Sequence, residues 1–348
     1  MKLKDTPTLR ILAKELGVGR FRDAEKAIRE FCVKEVERII EPFGKIYDLN
    51  KFLEIVSSSL GIKYEEVNAD HEIQKISKKY LAKREIIFAA LDRHLDSETD
   101  AVLFRLINAE PWETKYVAVI DCRGHKKRKA YFSKWHEVGH VLIMSPQESF
   151  QFRRTLTHKR DPKEQIVDKI AGDLAFYSPL FLPELLARIK GKDGMTFEVV
   201  EELREAVCPE ASREATIRGA VPRNPLPQLF VIADYGMKKN EQKIMSSQQL
   251  RLFPDEEIKF EPKLRAVQVI VNNAASKAGL RIHANMEVPQ ESVITKAYEE
   301  TSLTKKVYSN LENLNWWKHS RGQLDDMAIW VEAKKSGNRV FALISQRK

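Results

Sequence analysis

The sequence predicts an α+β protein, because helical patterns dominate its earlier part and strand-like patterns its later part. Apolar residues recur at helical spacing over much of residues 7–220. After residue 226 the pattern changes to short runs rich in β-branched and aromatic residues. Between them lies the proline-rich "VPRNPLPQ", and proline disfavours helix interiors and central strands. We therefore predict a helical hairpin over residues 1–44, a mainly helical domain with a small sheet over 45–225, and an α+β domain over 226–348.

The N-terminal segment predicts two helices joined by a glycine-containing turn. Apolar residues fall at helical spacing on both sides of "GVG" (17–19), and "EPFG" (41–44) ends the second helix. This turn faintly resembles a DNA-binding helix-turn-helix, but two packed amphipathic helices are the favoured interpretation. A further helix is predicted over 49–60, with Gly61 as its C-terminal cap and a short strand after it. More helix is predicted over 71–95.

The middle of the chain predicts one strand and then further helices. "TKYVAVIDC" (114–122) alternates and is rich in β-branched residues, so it reads as a strand. The basic "GHKKRKAYF" (124–132) then leads to a second strand or directly into a helix, and its basic residues are expected to be a solvated hairpin end. Helical patterns resume over 162–189 and 197–220.

The C-terminal segment predicts a sheet. Four runs are strand-like: "LFVIAD", "RAVQVIVNN", "MAIWVEA" and "RVFALIS". The last two flank "KKSGN", a glycine-bearing hairpin turn. Trp316 and Trp317 are either an exposed aromatic anchor or, as the favoured interpretation, one buried and one partly exposed ring.

Composition narrows the class of protein. The 348 residues include 59 Lys and Arg against 50 Asp and Glu, a net charge of +9, which suits an acidic partner but is diluted over a long chain. The three cysteines, Cys32, Cys122 and Cys208, are widely spaced and form no metal-binding pair, which favours a reducing compartment. No run approaches the roughly 18 apolar residues that a membrane span requires. We expect a cytoplasmic protein without a membrane partner.

The stretch "HEVGH" (136–140) predicts a metal site on a helix. Residues i and i+4 lie on one helical face, so His136 and His140 can direct imidazole nitrogens at one zinc ion. Glu137 is then placed to take a proton from a water activated by the metal. Two ordinary helix histidines would give the same five letters, so a third ligand on another helix is the deciding feature.

A second acidic helix offers that ligand. Asp161 and Pro162 predict a helix start, and Glu164 and Asp168 then share one face a turn apart. If Glu164 binds the metal, Asp168 can accept a hydrogen bond from a ligating histidine and fix its tautomer. The alternatives are a solvated acidic face, or Asp168 as the ligand in place of Glu164.

The two motifs together resemble the ImmA/IrrE family of metallo-endopeptidases. "RKAYFSKWHEVGH" matches the pattern of the family's first active-site helix with Arg128, Phe132, Ser133, His136, Glu137, Gly139 and His140. "EQIVDKIA" matches that of its second helix with Glu164, Asp168 and Ala171, and departs conservatively at Val167 and Ile170. The resemblance covers about residues 45–221. Lys134 and Trp135 replace the small or apolar residues usual in the family.

The resemblance implies a zincin-like fold and a zinc peptidase. Carried over residue by residue, His136, His140 and Glu164 are the metal ligands and Glu137 is the catalytic base. The implied substrate is one protein partner, a transcriptional repressor or an antitoxin. His158, Tyr177, Arg153 and Arg154 are, by location only, candidates for stabilising the oxyanion.

The rival hypothesis is a non-catalytic regulator that keeps the zinc-peptidase scaffold and contacts DNA through its basic surface, Lys126 to Lys129 included. Its DNA affinity would fall steeply with salt and would be indifferent to zinc removal.

Overall fold

The computed structural model describes residues 6–20, 22–107, 114–144, 151–155, 161–238, 240–241, 244, 261–300, 306–319 and 322–347, with only the backbone described for 151–155 and 319. The chain forms two compact units. The first comprises Met1–Glu184 and Arg204–Gly219, and the second comprises Leu185–Leu203 and Ala220–Lys348. Their helices and sheets confirm the α+β class. Division into three independently folding domains stays a prediction.

The first unit begins with a helical hairpin where two helices are predicted. Helix α1 spans Pro7–Glu15 and α2 spans Ala24–Ile40. Asp23 Oδ1 accepts a hydrogen bond from Lys26 N (3.0 Å) and so caps the start of α2. The other helices of the first unit are α3 (Leu49–Ser59), α4 (Asp70–Leu81), α5 (Leu91–His94), α6 (Ala130–Ile143) and α7 (Pro162–Ala175). Three more, each with residues of both units, are α8 (Ser178–Ile189), α9 (Phe197–Val207) and α10 (Arg213–Ala220).

Helical structure covers most of the predicted stretch 71–95, but in three separate pieces: α4, a 3₁₀ turn over Ile86–Ala90, and α5. Helix α4 stops at Leu81, and Arg84 takes a positive φ of 65°, which breaks the helical path. A 3₁₀ turn follows and places Phe88 between two other rings, 4.3 Å from Tyr80 and 4.4 Å from Phe104 between ring centroids. The free energy gained by burying this aromatic cluster outweighs the free energy that a continued helix would contribute.

Four strands of the first unit form a mixed sheet in the order β1-β3-β2-β4. They are β1 (Ile62–Val67), β2 (Thr99–Arg105), β3 (Tyr116–Asp121) and β4 (Gln151–Thr155). β1 pairs with β3 in parallel, and β2 pairs antiparallel with both β3 and β4. Gly61 precedes β1 with a φ of 71°, as a helix C-terminal cap requires. β2 was not predicted, because both of its faces are buried and it shows no alternation.

The basic stretch after β3 is not a solvated hairpin end. Residues 124–129 form a 3₁₀ turn that runs directly into α6. Lys126 is only 5% exposed, and its Nζ donates to Asp121 Oδ2 at 2.9 Å. Lys129 Nζ donates to the buried Asp100 at 3.1 Å. Half of the basic run is therefore used in internal ion pairs.

Asp121 is the centre of this buried ion cluster. Burial alone would raise the pKa of its carboxyl, but hydrogen bonds from Arg123 and Lys126 outweigh burial and hold the pKa below its usual value. The Arg123 Nη2–Asp121 Oδ2 distance is 2.7 Å. The cluster fixes the turn from which α6 starts.

The second unit is built on an antiparallel sheet in the order β6-β5-β11-β10-β7. Its strands are β5 (Gln228–Gly236), β6 (Lys263–Val271), β7 (Val307–Asn313), β10 (Ala328–Ser336) and β11 (Arg339–Gln346), and a separate pair consists of β8 (Lys318–His319) and β9 (Gly322–Gln323). The second unit also contains helices α11 (Asn273–Lys277) and α12 (Val293–Glu299). Each of the four predicted strand runs overlaps a strand, although Met327, Asn272 and Asn273 lie outside the strands. Gly337 makes the hairpin turn with a φ of 63°. Trp317 is fully buried and Trp316 is 36% exposed, which agrees with the favoured interpretation.

The proline-rich segment "VPRNPLPQ" is held by side-chain hydrogen bonds. Buried Asn272 donates from Nδ2 to the carbonyl oxygens of Asn224 (2.9 Å) and Leu226 (2.6 Å). Its Oδ1 accepts from the backbone N–H groups of Gln228 and Ala275. One amide side chain therefore satisfies one backbone group of α11 and three in a segment whose prolines cannot donate.

Within the described residues, no single helix is long and apolar enough to cross a membrane. One pair, Pro162–Ala175 with Ser178–Ile189, passes that test together by length and composition only, and it is bent by 59°.

Candidate metal centre

Helix α6 buries its polar motif completely. His136, Glu137 and His140 are each no more than 2% exposed, although they occupy three of five consecutive positions. Apolar neighbours surround them, and Trp135 and Val138 are fully buried on the same helix. Polar side chains at such depth require specific partners, because an unpaired buried polar group is costly.

Helix α7 supplies the partners. Asp161 Oδ1 accepts from Lys163 N (2.9 Å), and Pro162 occupies the first turn, so the helix starts where the sequence predicts. Glu164 and Asp168 then lie one turn apart and both reach the α6 histidines.

Three side chains converge on one point. Glu164 Oε2 lies 3.1 Å from His136 Nε2, and Glu164 Oε1 lies 3.3 Å from His140 Nε2. The two Nε2 atoms are 3.1 Å apart. All potential ligand atoms of the group lie within 4.8 Å of one another, so His136, His140 and Glu164 could hold a metal ion.

The spacing of these atoms fits a tetrahedral ion. Bonds of about 2.05 Å at the tetrahedral angle place neighbouring ligand atoms about 3.3 Å apart. The observed separations of 3.1 to 3.3 Å are close to that value, with a different Glu164 oxygen nearest to each histidine. Two imidazole nitrogens and one carboxylate oxygen also form a donor set suited to a divalent transition-metal ion.

Asp168 contacts the opposite nitrogen of His136. Its Oδ1 lies 3.1 Å from Nδ1, so an Nδ1–H can donate to the carboxylate. In that tautomer Nε2 has no proton and directs its lone pair at the convergence point. This is the contact predicted for Asp168, and Glu164 is the carboxylate nearer to both Nε2 atoms.

The electrostatics of Glu164 favour its ionised form. Burial by itself would raise the pKa of this carboxyl. When the rings of His136 and His140 carry a proton on Nε2, their hydrogen bonds and charges outweigh burial and hold the pKa far below its ordinary value. An ionised carboxylate is the form that ligates metals.

Tyr64 is a residue near the site that sequence reasoning missed. Its hydroxyl lies 2.8 Å from Ser57 Oγ and donates to the Lys134 carbonyl oxygen (3.2 Å) on α6. Burial chiefly raises the pKa of Tyr64, and the negative charge of Glu137 raises it further. Tyr64 comes from β1, more than 60 residues earlier in the chain, so no local pattern could have linked it to Glu137.

The two departures from the family pattern have structural roles. Lys134 pairs with Glu66 (2.8 Å), which ties α6 to β1. Trp135 packs 5.1 Å from Phe52, and Phe52 stacks 4.7 Å from Tyr177, between ring centroids. These contacts hold α6 against α3 and against the end of α7.

Of the oxyanion candidates, only the Tyr177 side chain is described. Its hydroxyl donates to Glu37 Oε1 at 3.2 Å, so its hydrogen atom is directed to α2. His158 and the side chains of Arg153 and Arg154 lie outside the described residues.

No protein-family model matches the sequence, and a search of curated proteins finds no significant match.

Proposed function

We propose that this protein is a zinc-dependent metallo-endopeptidase on a zincin-like fold. The observation that carries the proposal is the convergence of His136 Nε2, His140 Nε2 and the Glu164 carboxylate at 3.1 to 3.3 Å, with buried Glu137 next to the first histidine. Zinc is the proposed metal because it accepts two histidines and one carboxylate and leaves a fourth position for water or substrate.

The proposed mechanism assigns one task to each side chain. A bound zinc ion would act as a Lewis acid toward the peptide carbonyl and lower the pKa of a water to about 7. Glu137 accepts a proton from the attacking water as the water oxygen bonds to the carbonyl carbon. The same proton is then delivered to the nitrogen as the C–N bond breaks. Asp168 keeps His136 in the ligating tautomer.

The proposed substrate is one regulatory protein, a transcriptional repressor or an antitoxin. The motif resemblance to the ImmA/IrrE family supports this choice. We also propose a cytoplasmic location, which is supported by the free thiols of Cys32, Cys122 and Cys208, all buried.

The DNA-bound regulator has less support from the described surface. Lys126 and Lys129 pair internally with Asp121 and Asp100, whereas Lys127 and Arg128 are exposed. If this alternative is right, DNA affinity falls steeply with salt and is unchanged after zinc removal.

The test combines metal analysis with cleavage of proteins encoded beside the gene. Purified full-length protein should contain about one zinc ion per chain and should cut one of these proteins, and a chelator should stop cleavage. Glu137→Gln should retain zinc and fold but lose about 100- to 10,000-fold in rate, because an amide cannot accept the proton. Glu30→Gln, an exposed glutamate on α2, is the matched control and should cut normally.

Two results would reject the peptidase. One is a zinc content at background level in protein purified without chelator. The other is a wild-type cleavage rate in Glu137→Gln.

A further inference from the structure

The second unit contains a cavity of about 300 Å³ away from its main hydrophobic core. Residues 191–196 form one wall, and Trp330, Glu332, Leu343 and Ser345 lie among the residues of the other. The volume is at the lower limit for cavities that bind small molecules.

The sheet register explains why this wall is polar and aromatic. Trp330 lies opposite Ser345, and Glu332 lies opposite Leu343, so these four side chains share one face of β10 and β11. The alternate residues, including Val331 and Ala342, lie in the hydrophobic core on the other face. The polar side chains of the cavity wall therefore lie on the face of the sheet opposite to that core.

The wall formed by 191–196 is held close to the sheet. A Cβ atom at Gly194 would lie 2.7 Å from Ser345 Cβ, so only glycine permits this approach. Met195 N donates to buried Gln228 Oε1 at 2.9 Å, and Gly191 turns the chain with a φ of 74°. The cavity is therefore preformed.

Opposite charges lie among the residues that line it. The Arg347 guanidinium lies 4.8 Å from the Trp330 ring centroid and pairs with Asp193. Glu332 is two residues from Trp330 on the same strand, about 7 Å along it at roughly 3.3 Å per residue. One Glu332 oxygen, Oε2, accepts from Phe197 N at 2.9 Å, which leaves Oε1 for another donor.

A serine hydroxyl also lines the cavity. Ser345 is 5% exposed and lines the cavity, and no residue that the structure describes hydrogen-bonds to its hydroxyl. A buried hydroxyl facing a cavity is expected to find a partner in whatever fills it.

We propose that this cavity binds a free α-amino acid. The ammonium group donates to Glu332, the carboxylate accepts from Arg347, and Ser345 hydrogen-bonds to the ligand between them. The side chain packs against Leu343 and Met195. A free amino acid with hydrogen bonds of about 2.9 Å at both ends is comparable in length to the roughly 7 Å between the Glu332 and Trp330 positions along the strand. This site lies in the second unit and does not depend on the peptidase proposal.

The test is calorimetric titration of the full chain with each proteinogenic L-amino acid in turn. At least one should bind, and its N-acetyl and carboxamide derivatives should each bind at least about tenfold more weakly, a loss of 1.4 kcal/mol or more. Glu332→Gln keeps an acceptor for Phe197 N but removes the negative charge, so it should weaken amino-acid binding by at least about tenfold. Arg347→Gln removes the positive charge and should weaken binding by a similar factor. Glu287→Gln, which removes a half-exposed partner of Lys263 elsewhere in this unit, is the matched control and should bind as wild type does.

Two outcomes overturn the proposal. The first is that no amino acid binds the wild-type chain at millimolar concentration. The second is that a blocked derivative binds as tightly as the free amino acid. Both are measured on wild-type protein, so they hold even if a variant fails to fold.

Discussion

Gly139 sets how closely the two helices of the candidate metal centre approach. A Cβ atom at this position would lie 3.1 Å from Val167 Cγ1 and 3.4 Å from the Val167 carbonyl oxygen on α7. We predict that Gly139→Ala forces α6 and α7 apart by a few tenths of an ångström. The ligand atoms come from these same two helices, so the convergence of His136 and Glu164 should loosen with them.

The magnitude follows from two opposing effects. Alanine in a helix interior gains about 1 kcal/mol over glycine. Overpacking a closed interface costs about 1–3 kcal/mol. Gly139→Ala should therefore lower the unfolding free energy of the metal-free protein by about 0–2 kcal/mol. Zinc affinity should fall about tenfold, because metal sites tolerate ligand displacements of only about 0.2 Å.

Gly172 provides the matched control on α7. A Cβ atom there would meet nothing within 4 Å, so Gly172→Ala should stabilise by about 0.5–1 kcal/mol and leave zinc affinity unchanged. Adding Val167→Ala to Gly139→Ala removes the nearest contact and should restore zinc affinity. Urea unfolding in chelator and zinc competition titrations give the two readouts. If Gly139→Ala were as stable as Gly172→Ala and bound zinc like wild type, the close-packing explanation would be refuted.

Three further predictions concern single side chains. Glu164→Ala should lose zinc at neutral pH, whereas Asp168→Asn should keep zinc with an affinity reduced by about 10- to 100-fold. If metal analysis showed the reverse pattern, Asp168 would be the ligand and Glu164 its supporting residue. Asp121→Asn should cost about 3–5 kcal/mol in unfolding free energy at pH 7, because it leaves Lys126 buried without its carboxylate. The folded-state pKa of Asp121 is lowered, so its contribution is present above its unfolded pKa of about 3.9 and is lost as pH falls through the lower folded value. The difference between Asp121→Asn and wild type should thus shrink below about pH 4, and a pH-independent difference in denaturation would contradict this. Asn272→Ala should make the proline-rich segment cleavable by proteases that leave it intact in wild type, since three of its backbone groups lose their partner. Equal resistance would show that these bonds do not protect it.

Local patterns identified the elements whose stability is local. The helix start at Asp161 was predicted from the sequence, because this side chain caps a backbone N–H group of the helix's own first turn. The turn at Gly337 is equally visible, because a positive φ favours glycine. The i, i+4 spacing of His136 and His140 also predicts that both side chains lie on one helical face.

Sequence periodicity did not predict elements that are buried on both faces, or segments whose conformation depends on a contact with a distant part of the chain. β2 is buried on both faces and so lacks the alternation by which a strand is recognised. The basic stretch predicted a solvent-exposed position for Lys126. Its ion pair with Asp121, on the preceding strand, instead holds this side chain in the interior. The break after α4 depends on Phe88 reaching Phe104, a contact between separate elements.

By itself the sequence determined the residue types of the candidate site and their order along two helices. It did not determine how far α7 slides along α6, because helical periodicity carries no information about the distance between two helices. Only the tertiary structure placed Glu164 Oε2 at 3.1 Å from His136 Nε2 and Asp168 Oδ1 at 3.1 Å from Nδ1 of the same ring. That placement depends on the close approach at Gly139 and on packing across the helix interface, where side chains distant in sequence meet and no local pattern records them.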